Sequence, residues 1–198
     1  MFGIAGMFFG VLVGWIIGSQ QAGIAPAPPP AADARTSQTR TPPLDESRAA
    51  QLKAAADSNP NDVATRVQLA NLYFDHDRYA EAARWYENAL KLDPRNVSVS
   101  TDLGITYYYM NQPDSALQQF ERSLAIDPRH TKTLLNVGVV RAFAKQDLDG
   151  AARAWQRVIE LAPTSPEAGT ARQALAGLRN AHPEAGAGAQ TRPPGTPE

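Results

Sequence analysis

A repeat of 34 residues constrains this chain more than any other feature of its sequence. Two nearly identical stretches, KLDPRN and AIDPRH, place Pro94 and Pro128 34 residues apart. Pro60 lies 34 residues before Pro94, and Pro163 lies 35 residues after Pro128. Because a fixed period of about 20 to 50 residues is typical of repeat architectures, the sequence predicts stacked copies of one structural unit.

Each copy contains the same residue types in the same order. A large apolar residue precedes a small one in the first half, and an alanine precedes an aromatic residue by four positions in the second half. The small residues are Ala70, Gly104 and Gly138, and the aromatic residues are Tyr86, Phe120 and Trp155. Small residues let two helices approach closely while an aromatic side chain fills the adjoining space, so each copy is predicted to be a helical hairpin.

Capping residues and prolines set the predicted helix ends. The predicted helices span residues 62–76, 79–92, 96–110, 113–126, 131–144 and 148–161. Predicted N-caps are Asp62, Asn96 and Thr131 for the first helices and Asp77, Asn111 and Asp147 for the second. Capping helices are expected at 45–58 and 165–180, the latter starting with a capping box from Thr164 to Glu167.

The three copies, at about 62–95, 96–130 and 131–164, closely resemble the tetratricopeptide repeat family. That family has a 34-residue helix-turn-helix unit with this large-small-aromatic, then Ala-aromatic-Ala-Pro, pattern. The resemblance implies an all-α solenoid whose concave groove is lined by the first helix of each unit. It also implies a protein that binds a protein or peptide partner.

The family's groove positions fall on a defined set of residues in this sequence. The predicted partner-binding groove comprises Asn71, Phe74, Asp75, Thr101, Ile105, Tyr108, Tyr109, Lys132, Asn136, Val139 and Phe143. The alternative is that several of these side chains only pack between units.

Chaperone-binding members of the family hold a terminal carboxylate with Lys, Arg and Asn side chains. Asn71, Lys132 and Asn136 match such a clamp, whereas Val67 and Asp102 occupy positions of other clamp residues. The clamp is incomplete, and the apolar and aromatic groove suits a segment with apolar anchors better than an acidic tail.

The N-terminus is predicted to be a single transmembrane helix at residues 1–21. The chain has no charged side chain before Asp33, and about 20 apolar residues suffice for a helix to cross a bilayer. A cleaved signal peptide is the alternative, although the usual basic residues at its start are missing. Gly6, Gly10, Gly14 and Gly18 recur every four residues, a spacing that permits close contact between membrane helices and a possible homo-oligomer.

Two segments flank the repeats without the composition of a folded domain. Residues 22–44 contain six prolines and few large apolar side chains, so they are predicted to be a linker. Residues 181–198 have the same character and are predicted to be a disordered tail.

Charge and motif content argue against several functions. Residues 45–180 carry 16 Lys plus Arg and 17 Asp plus Glu, a balance that does not favour nucleic-acid binding. The chain has no cysteine, which excludes disulfides and zinc-thiolate sites. Signature motifs of hydrolases, nucleotide-binding loops and metalloproteases are absent. We therefore expect a protein that is not an enzyme and has no metal or cofactor.

An N-terminal membrane helix, a Pro-rich spacer and a short repeat array together resemble the repeat proteins of bacterial c-type cytochrome assembly. This resemblance implies a tethered adaptor at the bacterial inner membrane, with its repeats in the periplasm. The rival hypothesis is a structural assembly factor that acts by association of its membrane helices.

Overall fold

The computed structural model describes residues 43–181, which form eight α-helices. The helices are α1 Glu46–Ser58, α2 Val63–Asp75, α3 Tyr79–Leu92, α4 Val97–Tyr109, α5 Pro113–Ile126, α6 Thr131–Phe143, α7 Leu148–Leu161 and α8 Pro166–Ala181. Helices α2 and α3 form unit 1, α4 and α5 form unit 2, and α6 and α7 form unit 3. Each helix packs on its neighbours in the chain, so the units stack in sequence order.

This architecture confirms the predicted all-α solenoid, and the observed helix ends lie within about two residues of the predicted ones. Within residues 43–181, no helix combines the length and apolar character needed to cross a membrane. The predicted membrane helix at 1–21, its glycines, most of the linker and the tail after Ala181 lie outside the described residues.

In units 2 and 3, the aromatic side chain of the second helix lies directly on the glycine of the first helix. A Cβ atom added to Gly104 would lie 2.4 Å from a ring carbon of Phe120, and one added to Gly138 would lie 2.2 Å from Trp155 Nε1. Both aromatic side chains are buried, and Trp155 Nε1 donates a hydrogen bond of 3.1 Å to the Leu135 carbonyl. Glycine therefore follows Leu103 and Val137 because the ring occupies the space that the Cβ atom of a larger residue would need.

The turns inside units 1 and 2 differ from the prediction. Asp77 and Asn111 do not cap the second helices but have φ angles of 59° and 58°, in the left-handed region. There they end the first helices, because the next residue's N–H reaches back to the carbonyl of Tyr73 or Tyr107. Asp and Asn tolerate this backbone conformation better than most residues, which accounts for their presence at the turn.

Asp62 and Asn96 cap α2 and α4 as predicted, and three further predicted caps have different outcomes. Asp147 caps α7 as predicted, with its carboxylate accepting from Gly150 N at 2.8 Å. His130 rather than Thr131 is the N-cap residue of α6, and its side chain makes no capping hydrogen bond. The Thr164 capping box is also wrong, since Ser165 Oγ accepts from Ala168 N at 3.1 Å.

The contact between units 2 and 3 contains a buried hydroxyl network. Thr101 Oγ1 lies 2.9 Å from Ser123 Oγ and 2.7 Å from Thr133 Oγ1, and His130 Nδ1 lies 2.7 Å from Thr133 Oγ1. Ser123 Oγ also donates to the Val97 carbonyl at 3.1 Å. Buried hydroxyls need such partners, so these side chains satisfy one another across the contact.

Helix α1 is held on unit 1 by apolar and polar contacts. Trp85 packs on the cluster formed by Ala49, Leu52 and Leu69. The guanidinium of Arg66, on α2, donates to the Ala56 carbonyl at 3.2 Å. This cation lies at the C-terminal end of α1, where the helix dipole favours positive charge.

We expect Gly104→Ala to lower the free energy of unfolding by about 1 to 3 kcal/mol, because its methyl group would overlap the buried Phe120 ring. Gly177→Ala is the matched control, since no atom lies within 4 Å of the added carbon on that exposed part of α8. It should stabilise the chain by about 0.5 to 1 kcal/mol through helix propensity. Denaturant melts of both variants measure the difference, and equal effects would contradict the packing role of Gly104.

Candidate functional site

A pocket of about 270 Å³ opens on the face formed by the first helices of the three units. Its walls come from α2, α3, α4 and α6, so residues far apart in sequence meet there. The lining residues are Asn71, Phe74, Asp75, Tyr86, Asp102, Ile105 and Lys132. Five of them belong to the predicted groove, and Asp102 occupies the position of another clamp residue.

Tyr86 forms the floor of the pocket. Its ring is buried in the core of unit 1, and its hydroxyl donates to Asn71 Oδ1 at 2.5 Å. Burial raises the pKa of Tyr86 above its ordinary value, and the negative charges of Asp102 and Asp75 raise it further. The hydroxyl therefore stays protonated and fixes the orientation of the exposed Asn71 amide.

Of the three charged side chains that line the pocket, two form an ion pair with each other. Lys132 Nζ lies 2.6 Å from Asp102 Oδ1, an ion pair that joins α6 to α4 across the pocket. The exposed Asp75 carboxylate has no cationic group within 4.0 Å among residues 43–181. Two carboxylates and one ammonium group leave the pocket with an excess of negative charge.

An aromatic cluster adjoins the pocket through Phe74. We use this name for Phe74, Tyr79, Tyr108 and Tyr109. The Phe74 ring lies edge-on at 5.4 Å from both Tyr79 and Tyr109, and those two rings stack with centroids 5.1 Å apart. Tyr109 is 46% exposed, so an aromatic surface is presented at the end of α4.

Burial raises the pKa of Tyr79 and of Tyr108. The Tyr79 hydroxyl also donates to Asp77 Oδ1 at 2.5 Å, which adds to the shift. The two phenols are therefore neutral near pH 7, and the cluster combines apolar ring surfaces with hydroxyl groups at its rim.

Thr101 is a correction to the predicted groove. Its side chain is fully buried, and its hydroxyl belongs to the network with Ser123 and Thr133. The residue packs between units 2 and 3, as the alternative reading of the groove positions allowed. The family's groove position does not reveal that α5 and α6 cover this residue of α4.

Three other predicted groove residues lie away from the pocket on α6. The Asn136 amide donates to the Lys132 carbonyl of its own helix at 2.8 Å. Val139 packs on the core formed by α7 and α8, whereas Phe143 is 55% exposed at the end of α6. Their role in partner binding stays a prediction.

Tyr86 and Tyr79 are the site residues that sequence reasoning assigned elsewhere or omitted. Tyr86 was expected to pack only inside its hairpin, as Phe120 and Trp155 do. A signal existed, because a tyrosine among apolar equivalents brings a hydroxyl that needs a partner when its ring is buried. Tyr79 starts a second helix, and the repeat pattern gave no indication that it reaches the end of α4.

The arrangement suits binding through shape, aromatic surface and charge. Across residues 43–181, no group of three or more His, Cys, Asp or Glu side chains is placed to hold a metal ion.

Comparisons with known proteins agree with this geometry. One tetratricopeptide repeat model matches residues 64–129 and a second matches residues 101–166. The search of curated proteins gave no match. A solved structure described as the first TPR of Spaghetti (RPAP3) bound to HSP90 peptide SRMEEVD aligns with a TM-score of 0.51 and 26% identity. The alignment covers 70% of this chain and 95% of that chain.

Two further solved structures share the fold at lower identity. MamA aligns with a TM-score of 0.55 and 20% identity, covering 67% of this chain and 78% of its own. The Arabidopsis OM64 TPR domain aligns with a TM-score of 0.53 and 19% identity, covering 58% of this chain and 94% of its own.

We expect the free energy of unfolding to fall as the pH rises from about 10 to about 12. Folding raises the pKa of Tyr107 to about 12, mainly through burial and then through its hydrogen bond to Glu87, and it raises the pKa of Tyr79, Tyr86 and Tyr108 as well. Because an unfolded tyrosine titrates near about 10, this stabilisation is complete below that pH and is lost above it.

Tyr86→Phe should reduce this alkaline loss, since the variant has one phenol fewer to ionise. Urea unfolding at a series of alkaline pH values measures the slope for both proteins. An unchanged slope in Tyr86→Phe would contradict the raised pKa of Tyr86.

Proposed function

The chain is a tetratricopeptide repeat protein over residues 64–166, and on that basis we propose that it is a membrane-tethered adaptor that binds a segment of a partner protein in its groove. The observation that carries the proposal is the pocket of about 270 Å³ beside an exposed aromatic cluster. Buried interface anchors are commonly apolar or aromatic side chains inserted into such pockets. Ile105 and Phe74 supply the apolar walls, and Tyr109 supplies an adjoining ring surface.

We further propose that residues 1–21 anchor the protein in a bacterial inner membrane and that residues 22–44 separate the repeats from the bilayer. The uncharged N-terminal sequence and the prolines that follow it support this arrangement. The most specific version of the proposal is c-type cytochrome maturation in the periplasm. It is supported by the resemblance in sequence organisation to repeat proteins of that pathway.

Site-specific photo-crosslinking in cells tests the groove. A photoreactive amino acid at Ile105, inside the pocket, should capture a partner protein, because the side chain lies where the segment binds. The matched control carries the same amino acid at Glu121, which is exposed on the second helix of unit 2. Equal capture from both positions would contradict groove binding. Groove-specific capture of proteins other than apocytochromes would keep the adaptor and remove the cytochrome version.

The rival function is a structural assembly factor, favoured by the four-residue spacing of Gly6, Gly10, Gly14 and Gly18. Gly10→Leu combined with Gly14→Leu separates the two functions in the same crosslinking assay. The adaptor retains capture from Ile105 in this double variant, whereas an assembly factor loses its complex.

The acidic peptide SRMEEVD, seen with the Spaghetti relative, gives a second test. Its Glu and Asp side chains meet unfavourable charge in this pocket, because Asp75 and Asp102 line it and Asp102 already engages Lys132. Asp102→Asn removes one carboxylate and releases Lys132. We expect this variant to bind SRMEEVD about fivefold more tightly than the native chain, a gain of about 1 kcal/mol.

Isothermal titration calorimetry with SRMEEVD measures the change, and Glu121→Gln is the control for overall charge. A gain of the same size in Glu121→Gln would show that net charge, rather than the pocket, determines the affinity.

A further inference from the structure

We propose that the groove selects a partner segment carrying an arginine side chain, which enters the pocket beside Asp75 and lies against Phe74 and Tyr109. This inference rests on the proposed function, because it names the chemistry of the segment that the groove binds. Its first basis is the charge of the pocket, in which Asp102 is paired and Asp75 is not paired among residues 43–181.

Charge complementarity determines the sign of the ligand group. A carboxylate of the ligand that approaches Lys132 also approaches Asp102, whose oxygen lies 2.6 Å from Lys132 Nζ and whose negative charge repels it. A cation instead meets the exposed Asp75 carboxylate without displacing any existing contact. The pocket therefore favours a basic side chain over an acidic one.

The aromatic cluster determines which basic side chain fits best. Phe74 lines the pocket and contacts Tyr109 edge-on, so an extended cation beside Asp75 lies next to ring surfaces. A planar guanidinium stacks on such rings while donating two parallel hydrogen bonds to a carboxylate. A lysine ammonium offers a point charge and no planar surface, so arginine is the better match.

The remaining polar group of the pocket fits the backbone of the same segment. Tyr86 donates to Asn71 Oδ1, which directs the amide oxygen toward the floor. The Nδ2 atom of Asn71 is then available as a donor to a peptide carbonyl next to the arginine. Ile105 provides an apolar wall for the neighbouring side chain.

Four pools of acetylated and amidated heptapeptides test the proposal against the full chain in non-ionic detergent. Their central residue is Arg, Lys, Glu or Leu, and the flanking positions are mixtures of Ala, Ser, Leu and Tyr. Biolayer interferometry should give an apparent affinity for the Arg pool about tenfold above that for the Glu pool, and a few-fold above that for the Lys pool.

Two substitutions assign these preferences to the pocket. Asp75→Asn should lower the Arg-over-Glu ratio by about fivefold or more, whereas the control Glu121→Gln should leave it unchanged. Tyr109→Leu should remove the Arg-over-Lys difference and retain the preference for a cation. Circular dichroism melts confirm that each variant is folded.

The outcomes separate this inference from the proposed function. Equal binding of all four pools, with capture from Ile105 retained, would overturn the arginine selectivity and leave the adaptor function standing. Binding of no pool, together with no capture from Ile105, would overturn both. Arg-pool affinity that falls as the protein concentration rises would identify a second copy of the chain as the occupant and would also overturn the proposal.

Discussion

The contact between an aromatic ring and a residue without a bulky side chain is the constraint on which the rest of this structure depends. Phe120 over Gly104 and Trp155 over Gly138 set the distance between the two helices of a hairpin. The stacked hairpins place the first helices α2, α4 and α6 on one face, where the pocket opens. In unit 1 the corresponding ring, Tyr86, both packs inside its hairpin and lines the pocket.

Much of the fold could be predicted from the sequence, because prolines and apolar periodicity determine where helices start and stop. The turns were harder to predict. Asp and Asn are common both at helix N-caps and in left-handed turns. In this turn the two positions are adjacent, so the sequence alone does not show which role Asp77 or Asn111 has. The turn of unit 3 is one residue longer than the others. There Gln146 has the left-handed conformation and the next residue, Asp147, is the N-cap.

The sequence indicated which residues lie on the groove side of the helices, but not which of them are buried or paired. The resemblance to the family assigned groove positions to Asn71, Phe74, Asp75, Ile105 and Lys132, and these five residues line one pocket. Burial of Thr101 and the pairing of Lys132 with Asp102 depend on neighbouring helices about 20 to 30 positions away in sequence. Two of the three carbonyl acceptors of Arg66 belong to α1 and its C-cap, so they depend on how α1 packs beside α2.

The hydroxyl network between units 2 and 3 has a mechanical consequence. Hydrogen bonds are directional, so Thr101, Ser123 and Thr133 resist rotation of α6 against α4 and α5. Asp102 follows Thr101 in the chain and Lys132 precedes Thr133. The buried hydroxyls therefore also hold the two members of the pocket's ion pair opposite each other.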